Sequence, residues 1–234
     1  WEKTIDSQGK KIRNWKRVLD NYGSFLGYIL IGICPIWHPS ITFKTKVLID
    51  SGGFKVDYTR AEDFEVTARL ALQRYSAAVV PRFHLLQRQH GDSQSAEFSN
   101  IQAATARRVH IEVINNFTTH EHIDMLGKFL RLEKDILNSK MTKANLMKIN
   151  GAMYDLLNKV SEKQKLTKDE FSSLKKVIYR RVGFGIKYAD ILARLPSFLF
   201  YPAYYALSPL QFNQLRIMAS RLYNYFVKLR YIFK

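Results

Sequence analysis

Apolar residues recur at intervals of three and four along much of this chain. Phe64, Ala68, Ala71, Leu72 and Tyr75 do so behind a start rich in acid, which predicts an amphipathic helix over 62–74. Leu146, Ile149, Met153, Leu156, Leu157 and Val160 mark another helix, and residues 101–137 read as one or two more. Thr167-Lys168-Asp169-Glu170 ahead of Phe171 has the form of a capping box, so a further helix should begin there. Between 77 and 88 the rhythm changes to a strand, with Val79, Phe83 and Leu85 on one side and Arg82, His84 and Arg88 on the other. Continued extended geometry would add His90 to that second side.

The first third is more irregular. Asp6-Ser7-Gln8-Gly9-Lys10 is a polar turn, and a short basic helix is expected over 15–19. Residues 22–37 hold no charge and are too few to cross a bilayer, so they should form a buried segment. Residues 40–43 read as a strand and 44–50 as a short helix, ended by the positive φ that Gly52 and Gly53 adopt readily. At the other end, residues 195–215 are uncharged but interrupted by Pro196, Pro202 and Pro209, which argues against a membrane span. Beyond them Phe212, Leu215, Met218, Leu222, Tyr225, Phe226, Leu229, Ile232 and Phe233 share one helical face, with Arg216, Arg221, Lys228, Arg230 and Lys234 at its edges or opposite. Such a helix suits a membrane interface, and docking on another part of the protein explains it equally well.

Composition sharpens this picture in two places. With 47% hydrophobic and 13% aromatic residues the chain is built to fold. The net charge of +17 is uneven: residues 1–100 carry 14 Lys/Arg against 10 Asp/Glu, and residues 101–234 carry 23 against 10. The basic excess therefore belongs to the helical half. The lone cysteine, Cys34, makes an internal disulfide impossible and suits a reducing compartment.

Residues 37–95 hold the candidate chemistry. Trp37-His38-Pro39-Ser40 is followed by Ser51-Gly52-Gly53-Phe54, then by Ala61-Glu62-Asp63-Phe64-Glu65 opening the predicted helix, then by Arg88-Gln89-His90 after the predicted strand. In that order the four pieces resemble the acceptor-side half of a family 2 glycosyltransferase. The resemblance implies an α/β fold: the C-terminal half of a GT-A, Rossmann-like mixed sheet over 1–95, followed by a helical extension over 96–182 and a basic amphipathic tail over 183–234. It implies an inverting transfer from a nucleotide-diphosphate sugar to a glycan or lipid-linked acceptor in cell-surface polysaccharide synthesis. Asp63 maps onto the catalytic base, Glu62, Trp37 and His38 onto the acceptor site, and Arg88 and His90 onto the diphosphate side.

In such enzymes a divalent ion, Mn²⁺ or Mg²⁺, sits mainly on an Asp-x-Asp motif, with a histidine at the His90 position completing the site. No Asp-x-Asp occurs here. The resemblance therefore implies that the nucleotide-binding half lies upstream of Trp1 and that this chain is inactive alone. It also implies a cytoplasmic location, peripheral at the membrane. Interleaving of the basic residues with large apolar ones points away from nucleic acid as a partner. The competing reading, from a different class, is a non-catalytic basic helical module for anionic membrane or nucleic acid.

Overall fold

The computed structural model describes residues 1–89, 98–131 and 143–182. The basic tail expected over 183–234 lies outside the described residues, as does His90.

The chain opens with a hairpin. Asp6 accepts the backbone N–H groups of Gln8 and Lys10 on Oδ1 at 3.0 and 2.8 Å, and Gly9 takes φ +86°, so the polar turn reverses the chain. Strand β1 (Glu2–Ile5) thereby pairs antiparallel with β2 (Lys11–Trp15). The basic helix expected over 15–19 is absent: Lys11 to Trp15 continues the hairpin ladder, and Lys16 and Arg17 lay their charges over the rings of Trp1 and Trp15. Strand β3 (Leu85–Arg88) adds parallel to β1 on its other edge, giving a three-stranded mixed sheet in the order β2-β1-β3. The regular strand is shorter than the expected 77–88, yet the alternation holds along it. Val79, Phe83 and Leu85 are half-buried, and Arg82, His84 and Arg88 are exposed.

Helix α1 (Tyr22–Leu30) is the axis of the core. Asn21 and Ser24 close a reciprocal capping box at its start. Tyr22, Phe25, Leu26, Ile29 and Leu30 are all buried, an apolar surface that faces in every direction and so must be covered on every side. It is covered by α3 (Glu62–Leu72), α4 (Ser99–Asn115) and α7 (Lys168–Val182). The approach of α7 is close enough that a Cβ on Gly23 would meet the carbonyl oxygen of Glu170. Helices α5 (His120–Arg131) and α6 (Lys143–Lys163) complete the cluster through Leu126, Leu130, Met153 and Leu156. Thr167 and Glu170 form the expected capping box at the start of α7, with bonds of 3.0 and 3.2 Å. No described helix is long and apolar enough to cross a membrane.

The structure is thus mixed α/β and mostly helical, with seven α-helices among the described residues, the short α2 (Thr45–Asp50) standing where the sequence predicts a helix over 44–50. Residues before and after position 95 share a single hydrophobic cluster that runs from Tyr22 to Val182.

Candidate functional site

The acids of interest stand at the start of α3, where the chain enters through Arg60 at φ +71° and then Ala61. Ala61 provides no side-chain cap, so the first-turn acids Glu62, Asp63 and Glu65 sit beside uncapped amides. Each finds a different partner. Glu65 is nearly buried and engages Arg69 through two bonds, Nε to Oε1 at 2.8 Å and Nη2 to Oε2 at 3.0 Å. Arg69 in turn donates to the carbonyls of Ser51 and Gly53. That ion pair fastens the Gly52-Gly53 turn, at φ +97° and +64°, to the flank of α3. Glu65 is therefore committed to structure, and Glu62 and Asp63 remain for chemistry.

Asp63 accepts the Phe64 N–H on Oδ1 at 2.7 Å, and its carboxyl is pushed up from the ordinary aspartate range by burial. The Phe64 bond and the nearby His38 act against that shift, while Glu62 adds to it. Glu62 lies 3.9 Å from His38 Nδ1 through Oε1, and its Oε2 is buried with no hydrogen-bond partner among the described residues. His38 and Phe43 both pack near Phe54, with ring centroids 6.2 and 6.0 Å apart, which makes an aromatic shelf beside the two acids. The segment carrying His38 is a 3-10 turn over His38–Ser40 and not the strand expected over 40–43. The Ser40 hydroxyl and N–H both return to the Trp37 carbonyl at 2.9 Å and the Ile41 N–H to that of His38, so these groups close a turn instead of a ladder.

Behind the acids, the Cys34 thiol donates to the Ile36 carbonyl at 3.1 Å and lies 3.5 Å from Thr67 Oγ1. Burial pushes that thiol upward, which makes it a packing group and a poor nucleophile.

The side chains of the other sequence candidates engage different partners. Trp37 packs edge-on against Trp15 at 5.6 Å, beside a cavity of about 30 Å³ that holds no more than a water molecule. Arg88 pairs with Ile5 at the turn end of the sheet and donates to the carbonyls of Asp6 and Ser7 at 3.0 and 2.8 Å. Trp15 pairs with Glu2, three residues along β1, a separation of roughly 10 Å at strand rise. No described contact joins Arg88 to Glu62 or Asp63. Among the described residues no group of three His, Cys, Asp or Glu side chains could hold a metal ion. His90, the metal candidate that the resemblance implies, lies outside the described residues.

Sequence reasoning missed two neighbours of the site. Phe54 packs near His38 and Phe43 against Phe54, next to the turn at 51–53 that Arg69 anchors; the i, i+4 spacing of Glu65 and Arg69 is visible in the sequence as a helix-surface pair but not as a loop anchor. Comparison with family models, with curated proteins and with solved structures finds no match for this chain.

Proposed function

We propose that the chain carries the acceptor-binding and general-base part of an inverting glycosyltransferase acting on a nucleotide-diphosphate sugar. The observation that supports this reading is the placement of Asp63: partly buried, with its affinity for a proton raised, beside the Glu62–His38 pair and the His38, Phe43 and Phe54 shelf. A carboxylate of raised pKa is the stronger base near neutral pH. A shelf of aromatic and imidazole rings next to carboxylates suits a sugar, whose C–H face packs on rings while its hydroxyls take hydrogen bonds.

In this mechanism Asp63 removes the proton of the acceptor hydroxyl as its oxygen bonds to the anomeric carbon. The bond from that carbon to the diphosphate breaks, and the departing oxygen keeps the electron pair. Glu62, held near His38, accepts a neighbouring hydroxyl and orients the acceptor. The donor site and any metal must come from elements other than these described residues, in the same polypeptide or in another.

The test is a pair of measurements. Oligosaccharide acceptors screened by saturation-transfer NMR should bind the chain and lose binding on His38→Ala or Phe54→Ala. With a donor-binding partner supplied, Asp63→Asn should lower transfer by at least about a hundredfold, the scale of a lost general base. Full transfer by that variant would remove Asp63 from the mechanism.

A further inference from the structure

The three-stranded sheet has two unlike faces. Strand register puts Glu2 and Thr4 together with Leu85 and Gln87 on the inner face, where Glu2 and Thr4 are 0% and 2% exposed. The outer face carries Lys3 and Ile5 of β1, with Asn14 and Lys11 opposite them on β2 and Leu86 and Arg88 opposite them on β3. Ile12, at the register shift between Thr4 and Ile5, falls on the side of Asn14 by alternation. Leu86 is 65% exposed and Ile12 49%, so two large apolar side chains stand in solvent among cations. We propose that this outer face docks on an anionic lipid bilayer, a contact that requires nothing of the transferase chemistry.

The charge of this face is of one sign. Lys3, Lys11, Lys16 and Arg88 take part in no ion pair among the described residues. Lys16 reaches the same corner as Lys3, since the Phe83 ring lies 5.0 Å from Lys3 Nζ and 5.5 Å from Lys16 Nζ. Arg88 binds the carbonyls of Asp6 and Ser7, which leaves its charge in place. The acids of the sheet are turned to other uses: Glu2 is buried on the inner face, and Asp6 Oδ1 accepts the N–H groups of Gln8 and Lys10. Lysine on an edge strand guards against pairing with other chains, and that accounts for Lys11. It does not account for Lys3 on the central strand, nor for Leu86 and Ile12, because exposed apolar side chains invite the contact that edge lysines prevent.

Size and chemistry select the occupant. Three strands spaced about 4.8 Å apart, each rising about 3.3 Å per residue, give a face of roughly 200 Å². A stable protein interface takes about 800 Å² from each partner, well beyond this sheet. Single-stranded nucleic acid stacks its bases on open ring faces. Here the Trp1 and Phe83 rings pack edge-on at 5.4 Å and lie under the ammonium groups of Lys3 and Lys16. A bilayer needs neither a large area nor open rings. Its headgroups meet the cations singly, and each Lys or Arg at an anionic surface strengthens binding roughly fivefold. Leu86 and Ile12 enter the acyl boundary between those headgroups, while the lysine stems lie along it with their charges raised.

The test is co-sedimentation of the full 234-residue chain with phosphatidylcholine vesicles, with and without phosphatidylserine. Binding that requires phosphatidylserine and weakens with added salt is expected. Lys3→Gln combined with Lys16→Gln should lower the partition coefficient about twenty-five-fold, the product of two surface cations. Leu86→Ser should lower it about tenfold, the scale of one inserted leucine side chain. Lys159→Gln, an exposed lysine on α6, should leave it within about twofold, since it lies off the docking face. Circular dichroism and thermal melts of each variant establish that the fold is kept. Weakening by both sheet variants supports the proposal. Absence of phosphatidylserine-dependent binding overturns it, as does a loss in either sheet variant no larger than in Lys159→Gln. Loss of vesicle binding in the Arg216→Gln, Arg230→Gln pair, with none in the Lys3→Gln, Lys16→Gln pair, assigns the contact to the basic tail and overturns it too. Oligothymidylate binding in place of vesicle binding, weakened by the lysine pair but not by Leu86→Ser, identifies nucleic acid instead.

Discussion

Two ionisable side chains, the partly buried Asp63 and the fully buried His110, shift in directions that give opposite pH signatures. Burial raises the Asp63 pKa, so the folded chain holds that proton to higher pH than the unfolded chain does. Stability from this group is full below the unfolded value, near 3.9, and is lost as pH rises through the folded one. Asp63→Asn removes the charge and keeps an oxygen for the Phe64 N–H, so the variant should unfold at a higher temperature than the parent at pH 7. The gap should close as pH falls toward 4, measured by thermal melts across that range. For His110 the sign reverses. Burial first, and then Arg131, lower its pKa to about 3 from the ordinary histidine value of 6.5, with the Leu30 carbonyl opposing them. The unfolded chain takes up this proton first, so the contribution is present above about 6.5 and lost as pH falls toward 3. His110→Gln should cost about 2 kcal/mol at pH 7, from one or two buried hydrogen bonds, and flatten the acid side of the urea-midpoint profile. An NMR titration in which the His110 ring protonates near pH 6 in the folded chain would refute that account.

At the scale of elements, the helices were legible and the loops that position the site were not. The periodicity of Phe64, Ala68 and Ala71, and the Thr167–Glu170 capping box, both mark local geometry, so sequence suffices for them. Residues 15–19 failed because Lys16 and Arg17 are good helix formers held by distant rings, a tertiary contact that propensity does not contain. Residues 40–43 failed for a similar reason, since the Ser40 hydroxyl and N–H settle into a local turn while no neighbouring strand offers a ladder. Within the site, the Glu62–Asp63 pair and His38 were found from motif order, and the structure brings these three together. Arg88 and Trp37 were not separable from them in sequence, because strand register and ring packing decide where they go. The contact between α1 and α7 was also unreadable, although it rests on two glycines. A Cβ at position 23 would lie 1.8 Å from the Glu170 carbonyl oxygen, and one at position 27 would lie 3.0 Å from Val177 Cβ. Alanine is the better helix former, yet Gly23→Ala must push backbone from backbone, so it should destabilise by about 1–3 kcal/mol in urea unfolding. Gly151→Ala, on the exposed face of α6 with nothing within 4 Å, should instead stabilise by about 0.5–1 kcal/mol.

At the scale of the whole molecule, the segments before and after position 95 are packed into one hydrophobic cluster. Helix α1 comes from the first segment, but α4 and α7, two of the helices that cover it, come from the second. Without them Phe25, Leu26, Ile29 and Leu30, all at 2% exposure or less, would lose most of their cover. The polar ties cross the same boundary: Asn21 Nδ2 donates to Ser173 Oγ at 3.1 Å, and Arg74 to Glu170 at 2.8 Å. Helix α3, which carries the candidate acids, is therefore positioned by the helical segment. A chain of residues 1–95 alone should fail to fold, giving a collapsed amide proton spectrum and no cooperative urea transition. Adding a separate 96–234 chain should restore both, because buried apolar surface of this extent favours reassociation. A cooperative transition in 1–95 alone would show that the sheet and α3 carry a core of their own. In that case substitutions in α7, Gly23→Ala's partner helix, should leave acceptor binding unchanged; on the packing described here they should weaken it in step with stability.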